Sequence, residues 1–314
     1  MSGLMISDPI KFEDVIRSKN ILPGDVLYLR GGTYKGYWEL NIGGIDGAPV
    51  TIKPYNKEPV IIDGGLTYLK PYVEIYDLEF TDSDPDTTVI TKSISMGQPG
   101  CWLIGCEIHG LHNSGVNFMG SGIGGVVECW IYENGYYDLE AVGHGHSIYT
   151  HNHLGGARLI ARNLLNNSLG KYTIHIYSGD NYLRDYTCED NVIYGDPVHT
   201  GGGLGLVNFV YQRNIQFQDY AQMGRYSVQP NDTGLIQDNL FIQLYNYSVQ
   251  SGWIDLVEQN NTVWDGEPAD RLGYTLDKAP ASWSKFIPFS LSERWSGIQA
   301  DLVDGVFSAV MVER

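Results

Sequence analysis

Asparagine recurs in this chain at a spacing that few folds can use. Asn163, Asn191, Asn214, Asn239 and Asn261 follow one another at steps of 28, 23, 25 and 22 residues. A second landmark keeps the first of those intervals, for His146-Ser147-Ile148-Tyr149 and Ile174-His175-Ile176-Tyr177 end 28 positions apart. Two landmarks repeating at one interval mean that a whole coil is repeated, because a solenoid sets equivalent residues of successive turns side by side. Cys106-Glu107-Ile108 and Cys129-Trp130-Ile131, laid on Arg162-Asn163-Leu164, extend the series upstream, with a step of 33 residues between Trp130 and Asn163. The expectation is a stack of coils, the longer ones looping out, with asparagine amides bonded coil to coil at one corner. An antiparallel sandwich gives no reason for such an alignment.

The residue usage agrees. Among 314 residues there are 38 Gly and 22 Tyr against 9 Phe, and only 18% are charged, a profile that favours strands and turns over helices. Asp and Glu outnumber Lys and Arg by 37 to 20. The resulting net charge of −17 lacks the attraction that draws proteins to nucleic acid or to an anionic membrane, so neither partner is expected. No apolar run is long enough to span a bilayer, and the opening MSGLMISDPIKFEDV has no basic segment followed by an apolar one. Action outside a cell or on a virion would be reached without such a leader, and the sequence leaves localisation open. The four cysteines form no CxxC pair. Cys106 and Cys129 each stand two places before an isoleucine and read as small buried hydrophobes.

Residues 8–19, DPIKFEDVIRSK, place Ile10, Phe12, Val15 and Ile16 in an amphipathic pattern suited to a short helix over the open end of a solenoid. PGDVLYLRGGTYKGYWELNI, APVTIKPYNKEPVIIDGG and KPYVEIYDLEFTDS then give strand after strand, with Pro, Gly and Asp turns and no helix between. The chain thus divides into a cap over 1–22, a coiled parallel sheet over 23–264 and an irregular tail over 265–314. The tail lacks the asparagine and carries Trp283, Phe286, Phe289, Trp295, Leu302, Val306 and Phe307, which suit either folding back over the last coil or a homotrimer contact. Arg162, Asp190, Arg213 and Asp238, each just before an asparagine, alternate in sign. They are assigned to ion pairs between coils, each worth roughly 0.2–1 kcal/mol, rather than to catalysis.

The opening PGDVLYLRGGTYKG, followed by GAPVTIKPYNKEPVIIDG and VEIYDLEF, is similar to the first coils of polysaccharide lyases of the chondroitinase B and alginate lyase group. That group belongs to the pectate-lyase-like superfamily. The resemblance implies an all-β, right-handed parallel β-helix with a short N-terminal capping helix and an irregular C-terminal tail. It also implies a polysaccharide partner and the group's chemistry, a Lys and an Arg on adjacent coils with bound calcium, but no catalytic position of that motif is carried over onto this sequence. Gly143-His144-Gly145 before Ser147-Ile148 resembles a polygalacturonase segment, without that family's paired aspartates or its Arg-Ile-Lys. The architecture is also similar to bacteriophage tailspikes, which makes a non-catalytic, glycan-binding virion module the alternative to an enzyme.

The candidate site is the polar strand inside the coil. With Ile148 inward, Ser147, Tyr149 and His151 face outward; with Ile174 and Ile176 inward, so do His175 and Tyr177. The overlay expected from sequence sets Tyr149 beside Tyr177 and Ser147 beside His175, with Asn117 one coil earlier and the glycines of HTGGGLGLV one coil later. A lyase acting on a uronic acid needs a base, an acid and a cation. His175 or His151 are candidates for the first, Tyr149 or Tyr177 for the second, and Lys171, Arg158 or Arg184 for the third. A glycoside hydrolase needs two carboxyl groups, about 5–5.5 Å or 6.5–9.5 Å apart, for which Asp138, Glu140 and Asp180 are available. His144 and His146, alternating with His151 and His153, are the candidate metal ligands. The bland alternatives are a ladder of stacked rings for Tyr149 and Tyr177, a core role for His146, and turn positions for His109, His112 and His199.

Overall fold

The computed structural model describes residues 11–84, 93–120, 122–135, 145–152, 155–217, 219–225, 227–242, 244, 246–249 and 252–264. Each coil contributes one short strand to each of three parallel sheets. Among the described residues the first sheet has ten strands, from Val26–Leu29 to Trp253–Gln259, and the second has ten, from Gly32–Lys35 to Thr262–Trp264. The third has nine, from Trp38–Leu40 to Asn246–Val249. Among the described residues sequence neighbours do not pair within a sheet; each strand pairs with its equivalent one coil away, as a parallel β-helix requires. The interior is a set of aliphatic files. Leu66, Ile94, Val116, Ile148, Ile174, Val198 and Ala221 stand in register down the third sheet, each 1% exposed or less. β-Branched side chains suit this packing because their one favoured rotamer repeats at every strand.

At the N-terminal end the helix expected over residues 8–19 is a single turn, Phe12–Val15. Its Phe12 ring packs edge-on against Tyr34 and Trp38 at 5.3 and 5.2 Å, and Ile16 is fully buried. The tail and its seven apolar residues lie outside the described residues. So do Ile10, Asp138, Glu140, His144 and His153.

The corner between the first and second sheets is where the asparagines meet. Glu128, Arg162, Asp190, Arg213, Asp238 and Asn260 all sit at φ between 54° and 57°, the left-handed conformation that turns the chain sharply. In the last five of these corners the next residue is asparagine. Its Nδ2 donates to the Oδ1 of the next asparagine at 2.9, 2.9, 3.2 and 2.9 Å from Asn163 to Asn261, and also to a backbone carbonyl. The same Oδ1 accepts the backbone N–H of the preceding asparagine. Polar groups with no access to water are thereby paired through a file whose first four members are 0% exposed.

One detail of the overlay needs correction. Glu107 pairs with Trp130 and Trp130 with Leu164, so it is Cys106 and Cys129, not Glu107 and Trp130, that occupy the asparagine position. Cys129 N–H donates to Asn163 Oδ1 at 2.9 Å. All four cysteines are buried free thiols. Among the alternating charges, Arg213 pairs with Asp190 and Arg162 with Glu128 of the coil before it.

Candidate active site on the third sheet

The outward row of the third sheet reads Ser95, Asn117, Tyr149, His175, His199, Gln222 in consecutive coils. Three expectations change with this register. Tyr149 stands opposite His175, not Tyr177, because the two strands align two residues away from the sequence overlay. Ser147 precedes the strand and is fully buried, with its Oγ unpaired among the described residues. His199 belongs to the strand Val198–Gly201 rather than to a turn, and stands opposite His175. His109 is likewise a strand residue, in Glu107–His109, bonded to Glu79 at 3.0 Å.

The rings gather into one cluster. His175 lies 5.3 Å from Tyr149, 5.0 Å from His199 and 5.2 Å from Tyr177, while Tyr149 meets His151 at 6.0 Å. Tyr172, which the sequence reading passed over, is central. It stacks on His146 at 5.4 Å and on His199 at 5.0 Å, and lies 4.4 Å from His175. The glycine floor is real at one point, since the Tyr177 ring overlies Gly202, where a Cβ would meet it at 2.5 Å.

Hydrogen bonding fixes which atoms of the cluster carry protons. The backbone N–H of Tyr172 can only donate, and it does so to His146 Nδ1 at 3.2 Å. Neutral His146 therefore carries its hydrogen on Nε2, which faces His175 Nδ1 at 3.1 Å. His175 Nδ1 must then accept, so neutral His175 carries its hydrogen on Nε2. Its remaining lone pair is already used, and it presents a donor rather than a base. His199 differs. Burial, then the charges of Arg225 and Lys171, pull its pKa down to about 4, so it is a neutral imidazole at neutral pH with cations on hand. Burial, then Tyr177, raises the Tyr149 hydroxyl above its ordinary value, so it keeps its proton.

The cations reach this cluster by different routes. Lys171 is exposed beside the strand entry, its Nζ 5.2 Å from the Tyr172 ring. Arg225 arrives through an irregularity. Thr200 pairs with Met223 but Gly201 pairs with Arg225, so Gly224 is one extra residue in its strand. A one-residue insertion exchanges the two faces of a strand, and here it turns Arg225 into the outward row. Gly224 sits at φ +77°, and a Cβ there would lie 2.3 Å from the Asn231 amide.

Other predicted residues stand elsewhere. Arg158 points into the coil interior, 1% exposed, donating to the Gly122 and Gly120 carbonyls at 2.7 and 3.1 Å with its guanidinium 3.7 Å from the Phe118 ring centroid. It is a core residue, not a substrate ligand. Arg184 is exposed on the first sheet, over Tyr182. Asp180 is exposed in the turn after Ile174–Tyr177. Asn117 faces outward as expected, donating to Ser93 Oγ at 2.9 Å. Two acids that the sequence reading missed, Asp196 and Asp219, approach each other at the strand entries, and burial pushes the Asp196 carboxyl up to about 7. Among the described residues no group of three or more His, Cys, Asp and Glu is placed to hold a metal. His146 and His175 are bonded to one another, and a calcium ion, which takes six to eight oxygens, does not fit this set of nitrogens and phenols.

The fold is a three-sheet parallel β-helix. No family model matches the sequence, and no curated protein matches it. Solved structures do. An alginate lyase from Paenibacillus sp. str. FPU-7 superposes with a TM-score of 0.58 at 17% identity, over 81% of this chain and 94% of that one. A mannuronic acid specific family 6 lyase from human gut microbiota gives 0.47 at 16% identity, over 81% of this chain and 60% of its own. The pectate lyase Pel9A gives 0.44 at 14%, over 87% and 79%. Among the described residues no helix is long and apolar enough to cross a membrane.

Proposed function

We propose that this chain cleaves an acidic polysaccharide by β-elimination on the outer face of the third sheet. The observation that carries the proposal is neutral His199, buried in a ring cluster within electrostatic reach of Lys171 and Arg225. Those two cations suit the carboxylate of a uronic acid unit. Pairing it would withdraw electrons from C5, and its negative charge would offset the two positive ones, raising the proton affinity of His199 as substrate binds. His199 then takes the C5 proton. The C–H electron pair becomes the C4–C5 double bond, the C4–O4 bond breaks, and a tyrosine hydroxyl, Tyr149 or Tyr177, supplies the proton to the leaving oxygen. His175, as an Nε2–H donor, holds a substrate oxygen. The alginate lyase that superposes on this chain supports the substrate class.

Hydrolysis is the second reading, favoured by the raised pKa values of Asp196 and Asp219, which would suit one carboxyl as a general acid. Incubation with polymannuronate, polyguluronate and polygalacturonate decides between them. The ultraviolet band of an unsaturated uronate is expected with each new chain end. New reducing ends without that band would assign hydrolysis, and binding without either product would leave a glycan-binding module. Turnover is expected to survive a chelator, since side-chain cations provide the charge.

A further inference from the structure

A second groove, of about 520 Å³, lies on the first-sheet side of the molecule. Its walls come from consecutive coils: Asp46, Tyr72 with Glu74, Pro99 with Trp102, and Ile123. The aromatic rings lie down rather than stand up. Trp102 pairs in register with Gly125, and a Cβ at Gly125 would sit 2.4 Å from the six-membered ring of Trp102. Likewise a Cβ at Gly100 would sit 2.3 Å from the ring of Tyr72. In both cases glycine on the neighbouring coil lets a ring recline against the backbone, giving a flat apolar floor. Ile123, 59% exposed, continues it. The polar edge is acidic: Asp46 is exposed, and Glu74 is held in place by the Tyr76 hydroxyl, which donates to its Oε2 at 2.8 Å. No Lys or Arg is among the described residues that line the groove.

We propose that this groove is a binding site for a neutral pyranose, separate from the third-sheet cluster. A pyranose has an apolar face of axial C–H groups that matches a flat ring, and equatorial hydroxyls that donate to carboxylates at the rim. Its volume admits one or two such rings. The acidic rim repels the uronates that Lys171 and Arg225 would attract, so the two sites select opposite charge classes. A chain acting on an acidic polymer at one face would thus hold a neutral one at another.

The test uses the full-length chain and neutral tetrasaccharides of β-1,4-glucose, β-1,4-mannose and α-1,4-glucose, with tetramannuronate and a glucosamine tetramer as charge controls. Titration to about 10 mM, followed by calorimetry and the indole N–H resonance of Trp102, covers the weak range expected of a shallow groove. At least one neutral probe is expected to bind, with affinity reduced about tenfold or more in Trp102→Ala and in Tyr72→Ala, and unchanged in His175→Ala. Trp102→Phe, which keeps a flat ring, is expected to retain most of the affinity and guards against a folding defect in the alanine variant. Any of the following would overturn the proposal: no neutral probe binds, only the glucosamine tetramer binds, tetramannuronate binds here more tightly, or binding survives both alanine substitutions. Loss of binding in His175→Ala alone would place the sugar in the other site and overturn it equally.

Discussion

The asparagine corner and the histidine face are built on the same coils, yet they obey different rules. In the five corners from Arg162-Asn163 to Asn260-Asn261 one geometry repeats: a left-handed residue, then an asparagine whose amide bonds to the coil before it and, from Asn163 to Asn239, to the coil after. Nothing there differs from coil to coil except the charge of the residue before it. On the third sheet the coils share only their inward aliphatic file. The outward row changes identity at every step but one, His175 to His199, and its entry and exit turns vary in length. A periodic feature stabilises the stack, whereas an aperiodic one can be particular enough to recognise a ligand.

The largest expected effects fall on the aperiodic face. Arg225→Ala and Lys171→Ala should each lower kcat/KM on the best polyuronate about 10²-fold or more, and His199→Gln by about 10²–10⁴-fold, with the melting temperature little changed for Lys171→Ala, the exposed one of the two cations. Deleting Gly224 sharpens the point. It keeps every titratable group but returns Arg225 to the inward parity, so activity should fall as far as in Arg225→Ala. Activity retained in the deletion would show that the bulge does not position the arginine.

A smaller effect tests the acids beside that face. Asp196, pushed up to about 7, keeps a proton in the fold that the unfolded chain releases near 3.8, so it removes stability as pH rises through that window. His199, pulled down to about 4, refuses a proton that the unfolded chain takes up near 6.5, so it removes stability as pH falls. Each is worth roughly 3–4 kcal/mol at its limit, with opposite slopes between about 4 and 6.5. The wild type should therefore be nearly flat across that range as far as this pair is concerned. Asp196→Asn should gain roughly 2–4 kcal/mol near neutral pH and uncover a slope, stability rising from about pH 4 to 6.5. A flat profile in the variant would contradict the burial of His199.

How far each region could be read from residues follows from the same contrast. The corner was legible because identical side chains recur, and five asparagines fix their own register. Cys106 and Cys129 slipped by one place because a thiol stands where the amide is expected, and no repeated residue marked the substitution. On the third sheet, similarity misled. The two Ile-Tyr pairs, Ile148-Tyr149 and Ile176-Tyr177, look equivalent, but the fold aligns Ile148 with Ile174 because the connecting turns absorb two residues. Tyr172 and Arg225 were missed for related reasons. The first sits at the entry of its strand, two places before Ile174 as His146 is before Ile148, and the second reaches the face only through a bulge. Arg158 was misplaced because an arginine in a coil interior contradicts ordinary burial preferences, and only carbonyls and an aromatic face make it tolerable there.

At the corner, Asn214→Ala should cost roughly 2–4 kcal/mol, since it leaves the Asn191 backbone N–H and side-chain amide without their acceptor in the dry interior. Asn214→Asp tests geometry against charge: it keeps an acceptor but loses the donor to Cys188 O, and should be destabilising at neutral pH as well. If both variants melt like the wild type, the amide file is ornament and the aliphatic files alone hold the coils.

The smallest effects belong to the charges on the outside of that corner, and they separate two pairs that look alike in sequence. Arg213 meets Asp190 through two contacts, Nε to Oδ1 at 2.7 Å and Nη2 to Oδ2 at 2.9 Å, and reaches Glu189 with the same Nη2 at 2.8 Å. Arg162 makes a single contact, Nε to Glu128 Oε1 at 2.9 Å, between more exposed side chains. Two parallel bonds constrain a planar guanidinium where one leaves it free to rotate, so less side-chain entropy is lost per bond formed. Arg213→Ala should therefore cost about 1 kcal/mol and Arg162→Ala a few tenths or nothing measurable, with salt narrowing the gap because both pairs face water. Equal costs at low salt would mean that position on the stack, rather than bidentate geometry, sets the value of these pairs.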